Sequence, residues 1–230
     1  MTNQAGSPDP RRGVRGRVTA AAYLVLLVQL GFVLAALPGL VGLLFVARQA
    51  GNLPLFALCL LPVAPAFSAA VYATGRAHSE DDLVVWPRYW RGWLLNLRDV
   101  LAVWVPVLII GTMLAYTIVF GPMIGVDAFF VVTAWVVLAV LVLFAINAVV
   151  IASLFSFRVR DTVRLALFYL VARPIVTLGS VSLAVIAAGL IYLTADWVLM
   201  VVAALFAVGV LITHKPLIAD VEKRFTTPVQ

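Results

Sequence analysis

Two histidines, one cysteine and two lysines are the residues on which a metal centre, a nucleophile or a phosphate-binding loop would have to draw, and their placement suits none of these chemistries. His78 stands in a connector and His214 at the end of an apolar run, neither with a ligand-spaced partner, so no metal is expected. Lys215 and Lys223 lie near the carboxyl end, where they cannot close a GxxxxGK[ST] loop around a phosphate. Neither HExxH nor GxSxG occurs, and the carboxylates fall in connectors and tails rather than in pairs within apolar segments. Cys59 lies alone in an apolar run, which excludes an intramolecular disulfide. These residues predict a protein that is not an enzyme, with no catalytic residues and no cofactor.

The polar side chains inside apolar runs are the remaining candidates. Gln29, Thr112, Thr133, Asn147, Thr177, Ser180 and Ser182 would serve either to line a solute path or, more economically, to hydrogen-bond across helices. Asn147 and Gln29 in particular should face other helices, because an amide in hydrocarbon has no water with which to replace its hydrogen bonds. Asp, Glu, His or Lys inside the spans, the usual equipment of ion-coupled transport, is missing from these runs.

These positions are carried by a chain in which 64% of residues are hydrophobic and 11% charged, too apolar for a soluble domain. The apolar runs approach or exceed the roughly 20 residues that cross a bilayer as a helix. They are apolar on every face, unlike the alternating strands of a barrel. The fold class expected is therefore all-α, a polytopic transmembrane bundle of about six spans with amphipathic cytoplasmic connectors. Residues 1–17 read as a disordered basic tail, 18–214 as the transmembrane domain and 215–230 as a carboxyl-terminal tail. The first run, Val18 to Val46, exceeds the core of a signal peptide and is read as an uncleaved span, with Pro38 and its length calling for tilt, a kink or protrusion. In the second run Pro62 and Pro65 should break the helix. The third runs from Val100 to Val126, closed by Gly121-Pro122, Gly125 and Asp127, and the fourth from Ala128 to Phe157. Ile175–Leu193 and Trp197–Thr213 complete the six.

Loop charge gives an independent reading. With the amino terminus inside, every basic residue except Arg48 falls on the inner side, which predicts both termini in the cytoplasm. The net charge of +6 thus reflects topology, and no nucleic acid partner is expected.

The connector from Arg76 to Asp99 is the most patterned segment. Trp86, Trp90 and Trp93 recur at helical spacing with Leu94 and Leu97, while Arg88, Arg91 and Arg98 turn to another face. This predicts a helix lying in the headgroup region, its tryptophans acting either as an interfacial anchor among membrane lipids or as a docking surface for a partner. The connector Arg158 to Arg173 repeats the plan with Arg160, Arg164, Leu165, Phe168 and Tyr169.

The stretch Leu61-Pro62-Val63-Ala64-Pro65-Ala66-Phe67-Ser68-Ala69-Ala70-Val71-Tyr72, followed by Trp86-Pro87-Arg88-Tyr89-Trp90-Arg91-Gly92-Trp93-Leu94-Leu95-Asn96, resembles the YesL-like family of small bacterial membrane proteins. In that family a Pro-Ala-rich second span leads through an acidic, aromatic connector to an Asn- or Arg-containing start of the third span. Glu80, Asp81 and Asp82 match the acidic part, and Asn96 with Arg98 match the start of the span. The extended first span with Arg48 departs from the family's shorter pattern. The resemblance implies a multi-pass protein of the bacterial inner membrane associated with carbohydrate uptake, whose partner would be a carbohydrate ABC transporter permease, and it carries over no catalytic residue. A small transporter or channel for an unidentified solute is the alternative.

Overall fold

The computed structural model describes the backbone of residues 10–75, 84–193, 198 and 201–225, with side chains for 18–75, 84–193, 198 and 201–223. Among them no strand occurs. The chain is a multi-pass membrane protein, an all-α bundle in which, among the described residues, six helical stretches are long and apolar enough to cross a membrane: Val18–Phe45, Ala50–Gly75, Val85–Ile124, Ala128–Leu154, Pro174–Leu193 and Ala203–Lys223.

Helix α1, Pro10–Phe45, begins well before the expected end of the basic tail, with proline at its first position, where a missing N–H costs nothing. Its 36 residues, with Pro38 inside the helix, would reach about 54 Å at the usual rise, far more than the hydrocarbon core.

The second span is two helices, α2 (Leu53–Cys59) and α3 (Val63–Gly75). Pro62 has no amide to give to Leu58, so Leu61 bonds to Leu58 at 3.1 Å instead, and Val63 turns to the Leu60 carbonyl at 3.1 Å rather than to Cys59. Pro65 sits in the first turn of α3, where no intrahelical donor is required; the interruption therefore centres on Pro62. The Leu60 carbonyl gains a second donor, Trp104 Nε1, at 3.0 Å.

Helix α4 spans Val85–Phe120 without interruption. The tryptophan-bearing segment is thus the opening of the third span, not a separate helix lying flat before Val100. Nothing between Asn96 and Val100 breaks a helix, and the aromatic face that suggested a bilayer surface is taken up by α1 and α3 instead. The acidic residues Glu80, Asp81 and Asp82 lie outside the described residues, as do His78, Arg76 and Asp196.

Gly125, in the left-handed region at φ 77°, closes the turn after α4. Asp127 then caps α5 (Ala128–Leu154) by accepting the Phe129 amide at 2.8 Å. The second connector does form its own helix, α6 (Val159–Ala172), followed directly by α7 (Pro174–Leu193). The two connectors therefore do not repeat one plan. Pro174 forces Arg173 out of helical geometry, to φ −130° and ψ 77°, and so separates α6 from α7, whereas α4 has no such residue at the corresponding joint.

Helix α8, Ala203–Phe225, runs through the region expected to be a tail from residue 215. Leu217 and Val221 are fully buried, one and two turns beyond His214, and the packed face keeps the chain helical. Two cores result. Val28, Phe32, Ala66, Ala70, Tyr89 and Ala207 join α1, α3, α4 and α8. Ile151, Ala166, Tyr169, Val176, Leu217 and Val221 join α5, α6, α7 and α8. The alanines of the first core let backbones approach closely, the main source of cohesion where lipid removes any hydrophobic drive between helices.

Candidate functional site

The opening of α4 is built into the bundle. Tyr89 is fully buried and donates its hydroxyl to the Ala66 carbonyl at 2.9 Å. Gly92 lets α4 settle on Tyr72, since a Cβ there would come within 2.6 Å of its ring. Trp90 and Trp93 are half-buried against the first core and meet edge to face at 6.0 Å, while Trp86 meets Trp90 at 5.8 Å. Asn96 donates to Ser68 Oγ at 3.3 Å and to the Ser153 carbonyl at 3.0 Å; Ser153 and Ser68 are themselves 2.8 Å apart. Spans two, three and four are thereby tied at one polar knot. Of the residues expected to form an anchor or docking surface, Trp90, Trp93 and Asn96 hold the fold, Arg88 is half-buried, and Arg91 is exposed. The exposed row of this helix is Arg91, Leu94, Leu95 and Arg98, at spacings of three, one and three; Leu94 and Leu95 are 68% and 57% exposed.

No family model, curated protein or solved structure matches the chain.

The intramembrane polar residues divide into two groups. Gln29 and Asn147 reach across helices: Gln29 Oε1 accepts the Ala204 amide of α8 at 2.9 Å, and Asn147, fully buried, donates to the Ala166 carbonyl of α6 at 3.4 Å. The hydroxyls of Thr112, Thr133, Ser180 and Ser182, expected to bridge helices, instead donate to carbonyls four residues back in their own helix. A short hydroxyl reaches its own preceding turn more readily than a neighbouring helix. Thr177 donates to the Leu170 carbonyl, across the joint between α6 and α7.

His214 is a site residue that spacing alone does not reveal. It is fully buried, and Nε2 lies 2.9 Å from Asn147 Oδ1. Nδ1 lies 2.8 Å from the Val210 carbonyl and 3.0 Å from Thr213 Oγ. Both ring nitrogens thus meet oxygens. Nearby, Asp220 accepts from Tyr169 at 2.8 Å and pairs with Arg173 at 3.0 Å, fixing α6 and the start of α7 to α8. Among the described residues no three His, Cys, Asp or Glu side chains gather as a metal site.

An apolar cavity of about 440 Å³ lies between α2, α3, α4 and α5, lined by Phe56, Leu60, Phe67, Trp104, Leu141 and Ile146 among others. It brings no convergent set of polar groups to bear on a solute.

Proposed function

We propose that the chain is a non-enzymatic protein of the bacterial cell membrane, with both termini in the cytoplasm, that assists a carbohydrate uptake system by docking its permease. The observation that carries this reading is the exposed row Arg91, Leu94, Leu95 and Arg98 beside a rigidly held aromatic face. Arginine flanking exposed leucines on an immobilised helix suits an interface, because little side-chain and backbone freedom is lost on binding. The carbohydrate link rests on the resemblance of Leu61–Asn96 to the YesL-like family. A solute path draws less support, since the hydroxyls of Thr112, Thr133, Ser180 and Ser182 donate to carbonyls of their own helices and the cavity between α2, α3, α4 and α5 is apolar.

The orientation is tested with single cysteines in a Cys59→Ala background. In intact cells an impermeant thiol reagent should label Asp127→Cys and spare Ser156→Cys; the opposite pattern would place both termini outside. The partner is tested by affinity purification from native membranes in mild detergent, with mass spectrometry of what is retained. Arg91→Ala with Leu94→Ala should leave the thermal midpoint unchanged and reduce permease recovery by more than about tenfold, since interface anchors are each worth about 2 kcal/mol. Trp90→Ala with Trp93→Ala should instead lower stability by about 3 kcal/mol or more, because both rings pack on the core. Permease recovery undiminished in the Arg91/Leu94 variant would remove this surface from the account.

A further inference from the structure

Helix α6 presents one face that changes character along its length. Arg160, Arg164, Leu167 and Val171, spaced at four, three and four, all point away from the bundle; Leu167 and Val171 are 51% and 84% exposed. The opposite face cannot turn out to meet anything else. Thr162, Ala166 and Tyr169 are buried, Asn147 donates to the Ala166 carbonyl, and Tyr169 is bonded to Asp220. The outer face is therefore held outward, basic over its first two turns and apolar over its last two. The apolar part continues without a gap onto the exposed Ile175 and Leu178 at the start of the next span.

We propose that α6 is a binding surface for anionic phospholipid, with Arg160 and Arg164 on the headgroup phosphate and Leu167 and Val171 among the acyl chains. A helix basic all along its outer side would lie on the headgroups, and one apolar all along it would sink. A helix split along its axis enters the interface at a slant, and Arg160 to Val171 covers about 16 Å, enough to pass from phosphate level into hydrocarbon. The charge is complementary to an anionic lipid. Arg158, also exposed, adds to Arg160 and Arg164, Asp161 opposes them, and Arg173 is engaged by Asp220 and takes no part. A carboxylate or phosphate free in solution would use the arginines alone and leave the leucine and valine without a role.

The test uses the full-length protein in nonionic detergent, delipidated and offered equal amounts of phosphatidylglycerol and phosphatidylcholine with the same acyl chains, with bound lipid counted by native mass spectrometry. Wild type should prefer phosphatidylglycerol by more than about tenfold, as expected for two arginines each contributing about fivefold. Arg160→Gln with Arg164→Gln should reduce the ratio to near one at an unchanged thermal midpoint. Arg91→Gln with Arg98→Gln should preserve it. Leu167→Gln with Val171→Gln should lower the retention of both lipids. An unchanged ratio in the Arg160/Arg164 variant, or an equal fall in the Arg91/Arg98 variant, would overturn the assignment. So would displacement of the lipid by millimolar inorganic phosphate with the Leu167/Val171 variant binding normally, which would point to a soluble anion. Loss of a co-purifying protein, with lipid preference intact, would make the face a protein contact and overturn it equally.

Discussion

Gly39→Leu should yield no folded protein on extraction into mild detergent, with aggregate in its place on size exclusion. The cause lies in the broken second span. Pro62 turns the Val63 amide away from the Cys59 carbonyl, and that carbonyl points at α1, where Gly39 meets it. A Cα hydrogen of glycine is a weak donor suited to such an acceptor. Any Cβ at this position would overlap the carbonyl oxygen itself and press on the Pro62 ring. A backbone oxygen held between two helices cannot step aside as a side chain does, so the cost should exceed the roughly 1 to 3 kcal/mol of ordinary overpacking. Gly42 supplies the control. A Cβ there would lie 2.7 Å from Cys59 Sγ, a side-chain atom, so Gly42→Ala should be destabilising alone and relieved by Cys59→Ala. Gly39→Ala should not be relieved by the same change, because the carbonyl remains. Recovery of Gly39→Ala in the Cys59→Ala background, or a wild-type thermal midpoint for Gly39→Leu, would show that α1 does not meet the break in this way.

The break and the spans were open to reading because each follows from local chemistry. A proline inside an apolar run removes a donor wherever the run packs, and Gly125 followed by Asp127 marks a turn and a helix cap from residue type alone. The bearing of the α4 opening was not open in this way. Trp86, Trp90, Trp93 and Leu97 show the same helical period whether the apolar face meets lipid or another helix, and only the approach of Tyr72 and Ala66 decides between them. Asn96 likewise looks like a surface amide until Ser68 and Ser153 arrive from two other spans. At the carboxyl end a signal was present. Val210, His214, Leu217 and Val221 fall on one helical face, but Lys215, Asp220 and Lys223 between them gave the stretch the charge of a tail. The buried face, rather than mean hydropathy, keeps the chain helical past residue 215.

The pairing of Asn147 with His214 joins residues 67 positions apart, and its energy should be visible as coupling between two substitutions. Asn147→Leu leaves His214 Nε2 facing hydrocarbon, and His214→Leu does the same to the Asn147 amide oxygen; each should cost about 2 kcal/mol, the penalty of stranding a buried polar group. In the double variant neither group is stranded. The Ala166 carbonyl loses the Asn147 amide, a long contact at 3.4 Å, but remains within α6, where helical bonding is available to it. The double variant should therefore be more stable than the sum of the two single losses predicts. Hydrogen bonds between membrane helices average about 0.6 kcal/mol in coupling and reach about 1.7. This pair should lie near the upper end, because both side chains are fully buried and no water competes for either. Reversible unfolding in bicelles, with the four proteins of the cycle measured side by side, reads the coupling directly. Strict additivity would mean that the contact contributes no net energy and that Asn147 is kept in the interior by its own desolvation cost rather than by attraction to His214.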